Sequence, residues 1–163
     1  QLKKIADLYD CGIWHQGLCT DMAVTVGIGK ISEATRKLIE VTKKSLELAL
    51  AVVKPGNTLG DIGFAVQSYV ELNGFGVVRE LFGHGVGYAV HEEPRIPNFG
   101  KPKTGLKLEP GMVLAIEPMV TMGHWGIEVL PNSWDIVTAD RSLSAHFEHT
   151  AAVTKKGCEI LTI

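Results

Sequence analysis

An acidic residue inside an apolar strand constrains this chain more than any other feature. The segment reads MVLAIEPMV, and Glu117 interrupts it. An ionised carboxylate is costly to bury in apolar surroundings unless a proton or a cation neutralises it. If Glu117 is buried with the residues around it, the fold must provide it with a proton or a compensating charge.

Two aspartates flank a predicted turn near the start of the chain. The segments DLYDCGIW and LCTDMAVTVGI lie on either side of HQG, a pattern that predicts a β-hairpin with Gly17 at positive φ. If the turn is His15-Gln16, Asp10 and Asp21 face one another, and a three-residue turn shifts the pairing by one step. In either case the carboxylates lie on neighbouring strands, with Cβ atoms about 5 Å apart if directly opposite.

A glutamate and two histidines complete the set of unusual residues. Glu148 stands where an apolar strand begins, in SAHFEHTAAV, and His84 and His91 lie in the glycine-rich ELFGHGVGYAVHEEP. Four carboxylates and the imidazole of His84 are each expensive to bury, whereas a pair of divalent cations would neutralise the carboxylates. Such two-metal sites, with ions roughly 3.5–4 Å apart, activate water for hydrolysis. Oxygen-rich ligation with one imidazole suits Mn, Fe, Co or Zn.

Each of these residues has an ordinary structural explanation when it is taken alone. Asp10 and Asp21 are typical turn or cap residues, His84 alone is more often a hydrogen-bonded structural histidine, and Glu148 fits an exposed strand end. Glu117 is the hardest to explain in this way. Only the joint pattern favours a metal site.

Two helices are predicted in the first half of the chain. ISEATRKLIEVTKKSLELALAVV has helical spacing with Ser32 as N-cap and KPG as the stop, and its apolar stripe comprises Ile39, Leu46, Ala49, Leu50 and Val53. A second helix is predicted in TLGDIGFAVQSYVELNG, with Thr58 as N-cap and Asn73-Gly74 as the stop. Its apolar stripe comprises Ile62, Ala65, Val66 and Tyr69.

The second half of the chain reads as strands. The predicted strands are VVREL, MVLAIEPMV, WDIVTA and HTAAVT, and residues 94–111 are rich in Pro and Gly and predict a loop. Helices followed by extended segments indicate an α+β fold with the sheet against the helices. The length of 163 residues fits one domain, residues 1–163.

Composition excludes some classes of function. The net charge of −2 argues against a large basic surface for nucleic acid and against an anionic-membrane anchor, and no apolar run reaches the length of a membrane span. Three cysteines without CxxC spacing predict reduced thiols in a cytoplasmic protein. The chain begins with Gln1 rather than Met, so we expect a fragment or a chain whose beginning is missing.

Four segments together resemble the type I methionine aminopeptidases, which are grouped with aminopeptidase P, prolidase and creatinase as the pita-bread metallopeptidases. These segments, which run through nearly the whole chain, are DCGIWHQGLCTDMAVTVGIG, GHGVGYAVHEEPRIPNFG, LEPGMVLAIEPM and WDIVTADRSLSAHFEHTAAVT. EPM and FEHT favour methionine aminopeptidase over prolidase, and the short chain between His91 and Glu148 favours type I over type II. The resemblance implies a pita-bread fold, an antiparallel sheet with two covering helices. It also implies that the family's N-terminal third is lacking, with one further histidine and much of the methionine pocket.

The same resemblance implies a dinuclear centre of two divalent transition-metal ions, Co, Mn, Fe or Zn. Asp10 would bind one ion, Asp21 and Glu148 would bridge both, and His84 and Glu117 would complete the other. A metal-bridging water would be the nucleophile.

Three residues acquire roles toward the substrate from the resemblance. Glu117 would accept the proton of the nucleophile, His91 would bond the substrate near the scissile amide, and Trp134 matches a position that lines the methionine side-chain pocket. An ordinary core tryptophan is the alternative for Trp134. His146 shares the face of Glu148 by strand alternation, which allows a supporting role, whereas His149 points the other way.

The implied function is removal of the initiator methionine from nascent proteins. The expected partners are nascent peptide N-termini, met in the cytoplasm with possible association with the ribosome, and no nucleic acid or membrane is expected. Two alternatives stay open: an Xaa-Pro aminopeptidase or prolidase-like peptidase, and a non-catalytic pita-bread module that binds peptides without metal.

Overall fold

The α+β architecture predicted from the sequence is confirmed by a computed structural model that describes residues 6–162. Residues 1–5 and 163 of the predicted domain lie outside the described residues. The described part contains two helices, α1 (Glu33–Ala51) and α2 (Leu59–Leu72). Its fourteen strands are β1 (Ala6–Asp10), β2 (Ile13–His15), β3 (Leu18–Thr20), β4 (Met22–Gly27), β5 (Gly76–Val77), β6 (Phe82–Gly85), β7 (Glu92–Pro97), β8 (Val113–Ile116), β9 (Met119–Thr121), β10 (Ile127–Val129), β11 (Ile136–Thr138), β12 (Ser144–His146), β13 (Glu148–Thr154) and β14 (Gly157–Ile160).

Both helices begin at the predicted caps. The Ser32 hydroxyl accepts a hydrogen bond from the Thr35 amide at 3.1 Å. At α2, the Asp61 carboxylate accepts from the Thr58 amide at 2.7 Å, which closes a capping box. Gly74 follows α2 with φ of +82°, a conformation that suits glycine.

The predicted apolar stripes were partly wrong. In α1, Leu38 and Val41 are buried in the core while Ile39 is only partly buried. In α2, Gly63 and Val70 are buried rather than Ala65 and Tyr69. Gly63 packs directly on the backbone of Phe99, where a Cβ atom would collide, so the buried stripe keeps its helical spacing but includes a glycine that the prediction left out.

A seven-stranded antiparallel sheet dominates the fold. Its neighbour order is β1-β4-β13-β8-β6-β7, with β14 also paired to β13. The helices pack on one face of it, where the core contains apolar residues of both helices and of the strands, among them Leu38, Ile62, Leu114, Ile116 and Val153. The opposite face of β13 and β8 is therefore available for polar groups.

The register of the predicted hairpin differs from the directly opposed arrangement. The turn is Gln16-Gly17, with φ of +50° and +84°, so β1 pairs with β4 such that Asp10 lies opposite Ala23. Asp21 is two residues from Ala23, so the two aspartates are diagonal neighbours on the same face. A two-residue turn with both φ values positive matches the twist of a hairpin.

Three extended segments also depart from the predictions. VVREL contributes only Val77 to a strand, and MVLAIEPMV divides at Glu117-Pro118 into β8 and β9. The predicted loop at 94–111 begins as strand, because β7 extends to Pro97. β7 is the last strand in the sheet order, a position that tolerates proline. The predicted strands WDIVTA and HTAAVT are confirmed: WDIVTA contains β11, and HTAAVT forms all of β13 except its first residue, Glu148.

Candidate metal centre

The five predicted metal ligands lie on or beside five neighbouring strands of the large sheet. In sheet order, the strands are β1, β4, β13, β8 and β6. Their acidic and imidazole residues are, in the same order, Asp10, Asp21, Glu148, Glu117 and His84. Each strand thus supplies one donor side chain.

Strand register places these side chains on one face. Asp10 pairs with Ala23, which pairs with Glu148 on its other side. His84 pairs with Ala115, which pairs with Thr150. Residues directly opposite one another project to the same side of a sheet, and so do residues two apart in a strand.

The two alanines leave room between the donors. Ala23 and Ala115 are both buried in the middle of these rows. A larger side chain at either position would project into the space that the carboxylates surround. Small residues in the centre and ionisable residues around it are the arrangement that a cation site needs.

Donor atoms cluster in three groups within the described residues. Asp10, Asp21 and Glu148 offer oxygens that lie within 4.8 Å of one another, and His84, Glu117 and Glu148 form a second such group. Glu148 belongs to both groups. Asp21, His84 and His91 form the third.

Electrostatics make the centre costly without a cation. Burial, reinforced by Asp10 and Asp21, raises the pKa of Glu117 to about 8. Burial, then Glu117 and the aspartates, raises the pKa of Glu148 to about 9. The pKa of Asp21 is raised by burial and by Asp10. Glu148 Oε1 is buried with no hydrogen-bond partner. Mutually repelling carboxylates with an orphaned oxygen fit divalent cations.

In the His84 ring, Nδ1 is hydrogen-bonded to the backbone and Nε2 is directed at the carboxylates. Nδ1 lies 2.9 Å from the Gly85 carbonyl oxygen, and a neutral ring that donates there leaves its lone pair on Nε2. Nε2 lies 3.5 Å from Glu117 Oε1. Burial lowers the pKa of His84, which favours the neutral ring that a metal requires.

Hydroxyl groups fix the backbone beside the carboxylates. The Thr150 hydroxyl accepts from the Asp21 amide at 2.8 Å and donates to the Asp21 carbonyl at 2.7 Å. Thr25 makes the same pair of bonds with the amide and carbonyl of His146, at 2.9 Å and 2.8 Å. Sequence reasoning missed both threonines, although Thr150 shares the face of Glu148 by alternation.

Asn98 is a further supporting residue that the sequence did not reveal. It is buried and its side-chain amide donates to the Glu117 carbonyl at 2.9 Å. Asn98 lies within the stretch predicted as a loop, so no periodic pattern marked it.

The glycines around His84 bring strands together. A Cβ on Gly83 would meet the Ala115 carbonyl, and one on Gly85 would meet the Glu93 carbonyl. Their role is thus to let β6 lie close to β8 and β7, rather than to bring backbone to the metal site itself. His91 is exposed, and its ring centroid lies 4.4 Å from that of His84 in an edge-on arrangement.

An open cleft of about 940 Å³ extends from the donors. Its lining includes Asp10, His84, His91 and Glu117. A second part of the lining is apolar and comprises Leu8, Leu81, Phe82, Met119, Ile127, Trp134 and Ile136. Trp134 is 85% exposed at this cleft, so the alternative of a core tryptophan is wrong.

His146 also lines the cleft, beside Glu117. Its side chain is only 12% exposed, and Nε2 lies 3.5 Å from Glu117 Oε2. Burial lowers the pKa of His146 to about 4, so the ring is neutral at neutral pH. His149 faces away and its Nδ1 lies 2.9 Å from the Thr162 hydroxyl, whereas His15 and His124 are exposed.

This geometry has a counterpart in a known family. Residues 7–155 match the model of metallopeptidase family M24. The chain belongs to that family. Membership implies divalent metal ions, in agreement with the donor groups.

Relatives within the family share both sequence and fold. The chain is 50% identical to a methionine aminopeptidase of Clostridium perfringens over 154 residues, which are 94% of this chain and 62% of the relative. It is 49% identical to methionine aminopeptidase 1 of Bacillus subtilis over 153 residues, again 94% of this chain and 62% of the relative. A crystal structure of methionine aminopeptidase from Thermotoga maritima superimposes with a TM-score of 0.93 at 48% identity, covering 95% of this chain and 62% of that one.

These likenesses confirm the pita-bread fold. They also show that the chain spans about three fifths of the length of the relatives it matches, since 62% of each is covered. Within the described residues, neither helix is long and apolar enough to cross a membrane.

Proposed function

We propose that this M24 chain is a dinuclear methionine aminopeptidase that removes the initiator methionine from new proteins. The observation that carries the proposal is the pair of donor groups that share Glu148, because one bridging carboxylate between two groups is what two adjacent ions require. The names of the relatives at about 50% identity support the same activity.

The five donor residues would hold the ions. Asp10 would serve one ion, His84 and Glu117 the other, and Asp21 and Glu148 both. Co, Mn, Fe or Zn fit this set because it combines carboxylates with one imidazole. When bound, such ions polarise a carbonyl and lower the pKa of a water molecule.

Glu117 and His91 would handle protons and orientation. Glu117 lies at the border between donors and cleft, where its carboxylate can accept a proton from water. His91 lies at the exposed rim next to His84, where its ring can donate a hydrogen bond to the substrate near the scissile amide. Both residues line the cleft, so each can reach a substrate that is bound there.

The apolar wall of the cleft would receive the methionine side chain. Met119, Phe82 and Ile127 offer polarisable and aromatic contacts to a thioether, and Trp134 offers its exposed ring. We treat residues 1–163 as one catalytic domain because one sheet carries all five donors. Initiator methionine is found on newly made chains, so the reaction belongs in the cytoplasm and near the ribosome.

Metal analysis and a peptide assay test the proposal together. The protein loaded with Co or Mn should hold about two ions per chain and release methionine from a Met-Ala-Ser peptide. The isosteric variant Asp21→Asn should lose both properties, because a neutral amide removes one bridging charge. Glu40→Gln, at an exposed position on α1, should keep both.

The same assay separates the alternatives. Cleavage of Ala-Pro peptides in preference to Met-Ala-Ser would replace the proposal with an Xaa-Pro peptidase. Failure to retain any of the four metals at micromolar concentration would favour a peptide-binding module. Equal methionine release by Asp21→Asn and the unaltered protein would contradict the assigned centre.

A further inference from the structure

One buried imidazole beside the centre has no partner for its inner nitrogen. Within the described residues, the buried side-chain atoms without a hydrogen bond are His146 Nε2 and Glu148 Oε1. A metal ion accounts for the glutamate oxygen. It does not account for His146, which belongs to none of the three donor groups found in the described part of the chain.

The Glu117 carboxylate lies between two imidazoles. His84 Nε2 is 3.5 Å from Oε1, and His146 Nε2 is 3.5 Å from Oε2. His84 shares a donor group with Glu117 and Glu148, so the Oε1 side faces the ion position. The Oε2 side faces His146. The separation of His146 Nε2 and Glu117 Oε2 is a few tenths of an ångström longer than an ordinary N–H···O hydrogen bond.

The backbone of His146 is fixed with respect to the sheet that bears the other donors. Thr25 on β4 bonds both the amide and the carbonyl of His146. β12 pairs with β9, with His146 opposite Met119. The ring therefore extends toward Glu117 from an anchored position, which is the requirement for an orienting group.

We propose that His146 is a positioning residue whose Nε2–H holds Oε2 of Glu117, so that Oε1 is presented to the metal ion together with His84. This inference rests on the proposed metal centre and adds to it a residue outside the five donors. Hydrogen-bonded partners of ligating carboxylates fix their orientation, and their loss commonly weakens metal binding by about 10–100-fold.

Amide side chains of different length provide a matched test. The side-chain nitrogen of glutamine can occupy the place of Nε2, whereas that of asparagine reaches only the place of Nδ1. We expect His146→Gln to bind Co²⁺ nearly as tightly as the unaltered protein. His146→Asn and His146→Ala should raise the dissociation constant about tenfold, as read from the visible absorption of Co²⁺ during titration. His149→Ala, which removes an imidazole that faces Thr162, is the control and should bind normally.

The outcomes separate this inference from the proposed function. Absence of Co²⁺ binding by the unaltered protein would overturn both. Normal binding by His146→Asn, or equal weakening by Gln and Asn, would overturn the positioning role alone. If circular dichroism shows that His146→Ala does not fold, the comparison of His146→Gln with His146→Asn still decides the question. Both of these variants keep a polar side chain of similar size.

Discussion

The two faces of the large sheet are built from the same strands and carry opposite chemistry. In β8, Leu114 and Ile116 pack into the helix-facing core, while Ala115 lies on the opposite face and the following Glu117 lines the cleft. In β13, Ala151 and Val153 join that core, while Glu148 and Thr150 lie on the cleft side. One face is packed with apolar side chains, and their burial stabilises the folded protein. The other gathers carboxylates whose ionised forms repel one another, a repulsion that protons or bound cations would relieve.

Removing volume from the core face should have the largest effect. Leu114→Ala leaves a cavity in fully buried surroundings and should lower the free energy of unfolding by about 3 kcal/mol, measured by urea denaturation. The affinity for Co²⁺ of the folded variant should stay unchanged. Leu72→Ala, at a position 85% exposed, is the control and should change stability little. A parallel loss of metal affinity in Leu114→Ala would show that the two faces are not independent.

Removing a carboxylate from the cleft face should weaken metal binding without lowering the stability of the metal-free protein. Glu148→Gln should weaken metal binding by about a hundredfold, equivalent to about 2.7 kcal/mol, because it takes an oxygen ligand from both donor groups. The metal-free variant should be as stable as the unaltered protein or more so, because glutamine does not have to take up a proton on folding as Glu148 does. Calorimetric titration and urea denaturation measure the two quantities, with Glu159→Gln on β14 as an exposed control. A destabilised, metal-competent Glu148→Gln protein would contradict the assignment.

The pH dependence of stability should also distinguish the faces. Glu117 and Glu148 have folded pKa values of about 8 and about 9, above the ordinary 4.5, so the folded metal-free protein holds protons that the unfolded chain has released. As far as these two groups are concerned, stability is highest below about pH 4.5, and it falls as the pH rises from there through 8 and 9. We expect a loss of a few kcal/mol between pH 7 and pH 9, measured in chelator. The loss should shrink in saturating metal and in Glu148→Gln.

The smallest expected effect concerns the hydroxyl that supports the cleft face. Thr150→Val removes both hydrogen bonds to the Asp21 backbone and should lower stability by about 1 kcal/mol, with a measurable loss of metal affinity. Thr150→Ser should restore both. Thr154→Val, farther along β13 at a partly exposed position, should cost less. Equal effects at the two threonines would mean that Thr150 acts only through general strand stability.

Two of the proposed donors could be singled out from the sequence because each breaks a local rule. Glu117 in an apolar segment and Glu148 at a strand start are costly wherever they are buried, so the sequence alone points to a shared counter-charge. The helix caps at Ser32 and Thr58 were equally local and were confirmed. Local chemistry was sufficient for these four residues, whereas Asp10, Asp21 and His84 are ordinary when taken alone and were proposed from the joint pattern and the family resemblance.

The remaining features depend on contacts between distant segments. Gly63 faces the core of α2 because it packs on the backbone of Phe99, a contact that a search for apolar residues at helical spacing does not find. The register of Asp10 against Ala23 depends on which two residues form the turn. Thr25 and Asn98 look ordinary in the sequence, and only their partners at His146 and Glu117 reveal their positions.

One donor from each of five neighbouring strands makes a loaded centre equivalent to a crosslink across the sheet. Bound ions would connect strands that are far apart in the sequence, such as those of Asp10 and Glu148, so that these strands open and close together. Deuterium uptake by backbone amides of β1, at the outer end of the sheet order, should then slow together with uptake in β8 when metal is added.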